Sequence, residues 1–182
     1  MSFKYDNGCD DLYTKYLPNI LSAFNLSLGL FSILLTFNQE YTLAAMMILI
    51  AAMIDRYDGR ISRYFNASSE LGKELDSLSD LTSFGIAPAI LICIKFDFFN
   101  NGLLGELGIV MVFLYVISGS FRLANYNINE FKGYFLGVPI TVAGSIITLF
   151  TLFKFNAQIL IAIILLLLFA YLMLSKIKLK KF

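Results

Sequence analysis

Apolar runs without charge recur six times along the chain: Tyr16–Gln39, Tyr41–Ile54, Leu81–Ile94, Leu107–Phe121, Gly133–Phe153 and Phe155–Ser175. A helix that crosses a bilayer needs about 20 residues, and the first, fifth and sixth runs reach that length. The second, third and fourth are shorter, and each abuts a charge: Asp55, Asp80 or Arg122. The simpler reading is that these helices continue through their charges, so that their polar ends line one watered cavity at a membrane face. The pattern predicts an all-α integral membrane protein of six transmembrane helices, with a polar pocket built mainly by helices two and three.

Basic residues give the orientation. With six helices both termini fall on one side, together with the 2–3 and 4–5 loops. That side carries Lys4, Lys15, Arg56, Arg60, Arg63, Lys73, Arg122, Lys132, Lys176, Lys178, Lys180 and Lys181, whereas the other carries Lys95 and Lys154. Lysine and arginine concentrate on the cytoplasmic side of membrane proteins, so both termini and the pocket are expected to face the cytoplasm from the cell membrane. The division expected is an N-terminal cytosolic or interfacial segment (1–17), a six-helix domain (18–175) and a basic tail (176–182). Within the first segment, Tyr5–Tyr16 reads equally as a short interfacial helix or a disordered tail, and Pro18 and Asn19 read as the start of helix one. Asp6, Asp10 and Asp11 stand where a cleavable signal peptide would have its basic region.

Composition agrees and narrows the chemistry. The chain of 182 residues is 58% hydrophobic with a mean hydropathy of +0.75, above the roughly 45–50% of a soluble domain. A net charge of +1 gives no reason to expect a nucleic-acid partner. There is no histidine, so a catalytic base must be a carboxylate, lysine or tyrosine, and a metal must accept oxygen ligands. Cys9 and Cys93 lie far apart, without metal-ligand spacing, and read as free or packed thiols.

Polar chemistry concentrates between Asp55 and Asp80, where the chain reads D-x-x-D-G-x-x-S-R-x8-G-x-x-x-D-x-x-x-D. Charges at a membrane boundary are costly and mark function. On a helix Asp55, Asp58 and Gly59 share a face, with Arg63 one turn further along, and Gly72, Asp76 and Asp80 form a second stripe. Two such helices facing each other would gather four carboxylates, which cannot all stay ionised without compensation. Hard divalent cations supply it: Mg²⁺, Mn²⁺ or Ca²⁺. Two ions about 3.5–4 Å apart would suit a phosphoryl-type displacement. Gly59 and Gly72 allow a ligand close to the backbone, and Arg63 offers a planar fork for phosphate. Asn19, Ser22 and Asn25, three residues apart, read either as helix–helix hydrogen bonding or as a third wall of the pocket. Arg122, with Asn125 and Asn127 beside it, is a candidate for holding a substrate phosphate or carboxylate.

The stretch from Asp55 to Asp80 resembles the signature of the CDP-alcohol phosphatidyltransferase family, with spacing matched throughout; Ser62 stands where that family usually has alanine. Four further stretches are similar to the serine-accepting bacterial branch of the family: Glu74–Ala89, Phe121–Asn127, Gly137–Gly144 and Leu172–Lys178. The resemblance runs from Leu17 onward. It implies six membrane helices, a homodimer and transfer of a phosphatidyl group from CDP-diacylglycerol, a membrane lipid, to L-serine. By the same resemblance Asp55, Asp58, Asp76 and Asp80 hold two metal ions, Asp80 is also the general base, and Gly59, Ser62, Arg63 and Gly72 bind the CDP-lipid. Asn25, Arg122 and Asn125 are the remaining candidates for the substrate pocket.

Other acceptors (glycerol 3-phosphate, inositol phosphate) and an archaeal ether-lipid donor fit the same signature. A divalent cation transporter is a more distant alternative. It would need a polar path to the far side, and Leu43–Ile50 and Ile86–Ile94 are apolar.

Overall fold

The computed structural model describes residues 8–65, 70–128, 135–153, 158–175 and 178–179, with side chains for 19–57, 70–128, 137–153 and 158–175. Among them, six helical rods follow the six apolar runs. They are α1 (Gly8–Phe37), α2 (Tyr41–Phe65), a composite rod Glu70–Lys95, α5 (Gly102–Ile128), α6 (Ile140–Leu152) and α7 (Gln158–Leu174). The composite rod contains α3 (Glu70–Asp80), a π-helical turn (Leu81–Ile86) and α4 (Ala87–Lys95), and a short 3₁₀ turn, Phe98–Asn100, leads into α5. The only strands among the described residues form a two-residue antiparallel ladder, Phe135–Leu136 (β1) with Lys178–Leu179 (β2).

The three short runs do continue through their charges. α2 passes Asp55 to Phe65, the third rod begins ten residues before Asp80, and α5 passes Arg122 to Ile128. Three helices, Asn19–Phe37, Glu70–Lys95 and Gly102–Ile128, are long and apolar enough to cross a bilayer, which marks the chain as a membrane protein.

Packing shows features of a membrane bundle: small and polar residues join the apolar core at helix contacts, and many bulky apolar side chains face outward. Ser22, Asn25, Gly29, Ser32 and Thr36 form the buried seam of α1, while Phe24, Leu30, Phe31 and Leu34 are exposed. Ser22, Asn25, Gly29 and Ser32 serve a neighbouring helix, whereas Thr36 Oγ1 donates to the Ser32 carbonyl of α1 itself at 2.9 Å. Ser79 Oγ donates to the Ser22 carbonyl, Ser83 Oγ donates to the Asn25 carbonyl at 2.9 Å, and Ser32 Oγ donates to the Ala44 carbonyl at 2.9 Å. The seam therefore ties α1 to α2 on one side and to the α3–π segment on the other. Gly29 makes the second contact possible, since a Cβ there would lie 2.5 Å from Ser83 Oγ and 2.9 Å from Ser83 Cα. At the far end of the bundle, Lys95 Nζ donates to the Thr151 carbonyl at the close of α6 and lies 5.9 Å from the centre of the Tyr41 ring. Phe96 meets Phe150 edge-on there at 5.6 Å.

Two helix starts differ from the sequence pattern. α1 begins at Gly8 and runs through Pro18, so the N-terminal segment from Gly8 is continuous with helix one; a proline removes a single intrahelical bond, here to the Thr14 carbonyl, and the turns on either side persist. α6 begins at Ile140 rather than at Gly133. Gly137 takes a left-handed φ of 75° and Val138 N–H donates to the Leu172 carbonyl at 3.2 Å, which commits the backbone to α7 before Pro139 opens the helix. Residues 129–134 lie outside the described residues. Cys93 is a buried free thiol, as its isolation suggested.

Gly29→Ala should lower the thermal midpoint of the detergent-solubilised protein by an amount equivalent to about 1–3 kcal/mol, the usual cost of overpacking. The neighbouring exposed Leu30→Ala should change it little. Equal midpoints for the two variants would remove the α1–π contact as a stabilising element.

Candidate functional site

Asp55 on α2 and Asp76 and Asp80 on α3 converge as their spacing predicts. Each offers a carboxylate oxygen, and the three oxygens lie within 4.8 Å of one another. The Asp55 and Asp80 carboxyls come within hydrogen-bonding reach. Carboxylates this close need a proton or a cation between them. Asp80 Oδ1 is buried without a hydrogen-bond partner, an acceptor free for an electrophile. An all-oxygen acidic donor set fits a hard divalent cation. The side chains of Asp58, Gly59, Ser62 and Arg63 lie outside the described residues; their backbone belongs to α2.

The aspartates form one wall of a cleft of about 180 Å³ lined by Asp55, Lys73, Asp76, Ser77, Asp80, Arg122, Leu123, Tyr126, Asn127, Pro139, Ile140 and Thr141. The pocket is thus not built mainly by helices two and three. α5 and the start of α6 supply the opposite wall, because α1 packs against both α2 and α3 and leaves the acidic faces turned towards α5 and α6.

That opposite wall is cationic. Arg122 is attracted to Asp80, and its buried Nε has no hydrogen-bond partner. α6 opens beside it at Pro139 without a side-chain cap. The free N–H groups and positive end of the helix dipole favour an anion. Ile140, which fixes this helix start, is packed against Gly119 of α5: a Cβ on Gly119 would stand 2.6 Å from Ile140 Cδ1. At the mouth, Lys73 Nζ donates to the Asn127 carbonyl at 3.0 Å, and Asn127 Nδ2 donates to Ser77 Oγ at 3.0 Å and Glu74 Oε1 at 3.2 Å. These bonds clamp α3 to α5 across the cleft.

Of the sequence candidates, Asp55, Asp76, Asp80, Arg122 and Asn127 line the cleft, and Gly72 lies half-buried on α3 one turn before Asp76. Asn25 does not line it. Its side chain is 1% exposed and sits in the α1 seam, with neither Oδ1 nor Nδ2 hydrogen-bonded. Asn125 is exposed and also lies outside the lining. Sequence reasoning missed Ser77, Tyr126 and the Pro139–Thr141 helix start. Ser77 had a usable signal, since it lies beside Asp76 in the acidic stretch; the others depend on how α5 and α6 pack.

The family model described as CDP-alcohol phosphatidyltransferase matches residues 15–179. The chain is 35% identical over 171 residues to the CDP-diacylglycerol–serine O-phosphatidyltransferase of Bacillus subtilis (strain 168), covering 92% of each protein. It is 33% identical over 135 residues to the protein of the same name from Helicobacter pylori (strain J99), covering 72% of this chain and 55% of that one. It is 36% identical over 149 residues to the archaetidylserine synthase of Methanothermobacter thermautotrophicus, covering 79% of this chain and 60% of that one. The chain thus spans little more than half the length of the Helicobacter relative.

Asp55→Asn and Asp76→Asn should each weaken Mn²⁺ binding by tenfold or more, at least the loss seen when even an outer-shell partner is removed. Electron paramagnetic resonance titration of the purified variants measures this directly, and wild-type affinity in either would take that residue out of the ligand set.

Proposed function

The chain belongs to the CDP-alcohol phosphatidyltransferase family, and from that premise we propose that it transfers the phosphatidyl group of CDP-diacylglycerol to the hydroxyl of L-serine, giving phosphatidylserine and CMP. The observation that carries this reading is the cleft itself, with three convergent carboxylates on one wall and Arg122 beside an uncapped helix start on the other. The serine acceptor is supported by the names of the Bacillus and Helicobacter relatives. An ether-lipid donor is the second reading, supported by the archaetidylserine synthase. Cation transport has less support, because Ala44, Ala45, Ile48 and Ala51 of α2 and Leu91 and Ile92 of α4 are buried and apolar beyond the acidic cluster.

Asp55, Asp76 and Asp80, with Asp58 in the same signature, hold the divalent cations, Mg²⁺ or Mn²⁺. When bound, these supply positive charge to the pyrophosphate and to the departing CMP. The protein's own groups do the rest. Asp80 receives the proton of the serine hydroxyl as that oxygen bonds to the phosphorus bearing diacylglycerol, and the bond from that phosphorus to CMP breaks. Arg122 and the first N–H groups of α6 hold the acceptor's carboxylate, which orients the hydroxyl. Gly59, Ser62, Arg63 and Gly72 hold the CDP end of the donor. Asn25 and Asn125, away from the cleft lining, are proposed to act on the acceptor only through their neighbours.

The same reading places six helices across the cell membrane, with the cleft and both termini on the cytoplasmic side and the protein as a homodimer. The twelve-to-two asymmetry of basic residues supports the orientation. Lys95, beside Thr151 and Tyr41, marks the opposite end.

Purified protein with CDP-diacylglycerol should release CMP only when both a divalent cation and L-serine are present. Equal release with glycerol 3-phosphate would overturn the acceptor assignment. Asp80→Asn should cut kcat by at least the 10²–10⁴-fold typical of a lost acid–base group while CDP-lipid still binds; turnover at the wild-type rate would remove Asp80 as the base.

A further inference from the structure

The rod that carries Asp76 and Asp80 changes its hydrogen-bond period immediately after them. α3 ends at Asp80, the π turn runs Leu81–Ile86, and the Ala87 N–H donates to the Thr82 carbonyl five residues back. The sequence supplies the cause. Pro88 stands four residues after Phe84, so a regular α-helix would ask Pro88 for an N–H that it lacks and would press its ring on the Phe84 carbonyl. Phe84 is fully buried, out of reach of water, and a buried carbonyl without a donor is costly. The Tyr115 hydroxyl of α5, itself fully buried, donates to that carbonyl at 2.7 Å. Gly144 leaves room for the arrangement, since a Cβ there would stand 2.8 Å from Phe84 Cα.

A wide turn amounts to one extra residue in a helix, and one residue is a rotation of about 100°. Below the turn lie Asp76 and Asp80, aimed at the cleft. Above it lie Ala87, Leu91 and Ile92, fixed in the core. The phase of the two carboxylates relative to the core therefore depends on the turn staying open. An open turn gives up an intrahelical bond, and Tyr115 provides one from outside.

The geometry points to Tyr115 as a positioning residue for the acidic site: its hydroxyl, by bonding the Phe84 carbonyl inside the wide turn just before Pro88, sets the angle at which Asp76 and Asp80 meet Asp55. It touches no substrate and acts through the helix. This inference rests on the reading of the aspartates as metal ligands for its effect on activity, but not for its effect on helix phase.

Two readouts test it, on Tyr115→Phe and on Pro88→Ala, which returns the missing N–H and lets the turn close. The first is helix phase. Ser77→Cys with Asn127→Cys, in a chain where Cys9 and Cys93 are replaced by serine and alanine, puts a thiol on each side of the contact that Ser77 Oγ and Asn127 Nδ2 now make at 3.0 Å. A short bifunctional thiol reagent should bridge them with Tyr115 and Pro88 intact, and the yield should fall severalfold in either variant. The second is Mn²⁺ titration of the otherwise unaltered chain, where both variants should bind at least tenfold more weakly and lose kcat more than they change KM for the donor. Pro88→Ala guards against mere unfolding, because a regained backbone bond should hold or raise the thermal midpoint while Mn²⁺ affinity falls. Unchanged bridging in folded variants overturns the inference, as does loss of Mn²⁺ affinity in Tyr115→Phe alone alongside a lowered midpoint. Bridging that falls in a protein whose parent binds no Mn²⁺ would leave the phase device standing and remove the metal reading instead.

Discussion

Three carboxylates whose oxygens lie within 4.8 Å of one another repel unless positive charge sits among them, so the helices that bear them must be held by something stronger than their own contact. α2 and α3 are joined through α1. Its seam takes the Ser79 and Ser83 hydroxyls from the third rod and gives the Ser32 hydroxyl to α2. From the opposite side, the Lys73–Asn127–Ser77 bonds fix α3 to α5. The acidic wall is thereby clamped on both flanks and left open towards the cleft.

The clamps are hydroxyls, amides and glycines because of the solvent. Between helices in a bilayer, burying apolar surface gives little advantage over lipid, and close backbone approach with satisfied polar groups takes its place. Gly29 against Ser83, Gly144 against Phe84 and Gly119 against Ile140 are all such approaches. Many large apolar side chains, Phe31, Phe113 and Leu167 among them, are exposed on the outside of the bundle.

The same inversion explains what the sequence could convey. The apolar runs and the charges that interrupt them are local signals, so the six rods, their passage through Asp55, Asp80 and Arg122, and the convergence of Asp55, Asp76 and Asp80 were legible from spacing. The second wall was not, because Arg122, Tyr126 and the uncapped start of α6 meet the aspartates only through tertiary packing. Asn25 shared a three-residue period with Asn19 and Ser22, which fits a pocket wall and a helix seam equally; burial assigns it to the seam. The later start of α6 follows from a backbone at Gly137 that bonds α7, a contact no local pattern carries. Pro88 stood inside an apolar run read as one helix, and neither the wide turn before it nor Tyr115 opposite that turn is carried by the local pattern.

The two walls of the cleft bear on what it can accept. A phosphorylated acceptor would bring two further negative charges to a site already facing the donor's pyrophosphate, and would call for several cations. Among the described side chains two cations line the cleft, Arg122 and Lys73, and the Lys73 ammonium is bonded to the Asn127 carbonyl. An amino-acid acceptor asks for less. Its carboxylate matches Arg122 and the start of α6, while its ammonium is drawn to the acidic wall instead of competing for the cations. In the proposed reading both charges would fix the hydroxyl between the two walls, beside Asp80. Among the described side chains, the polarity of the cleft is thus in keeping with the proposed zwitterionic acceptor.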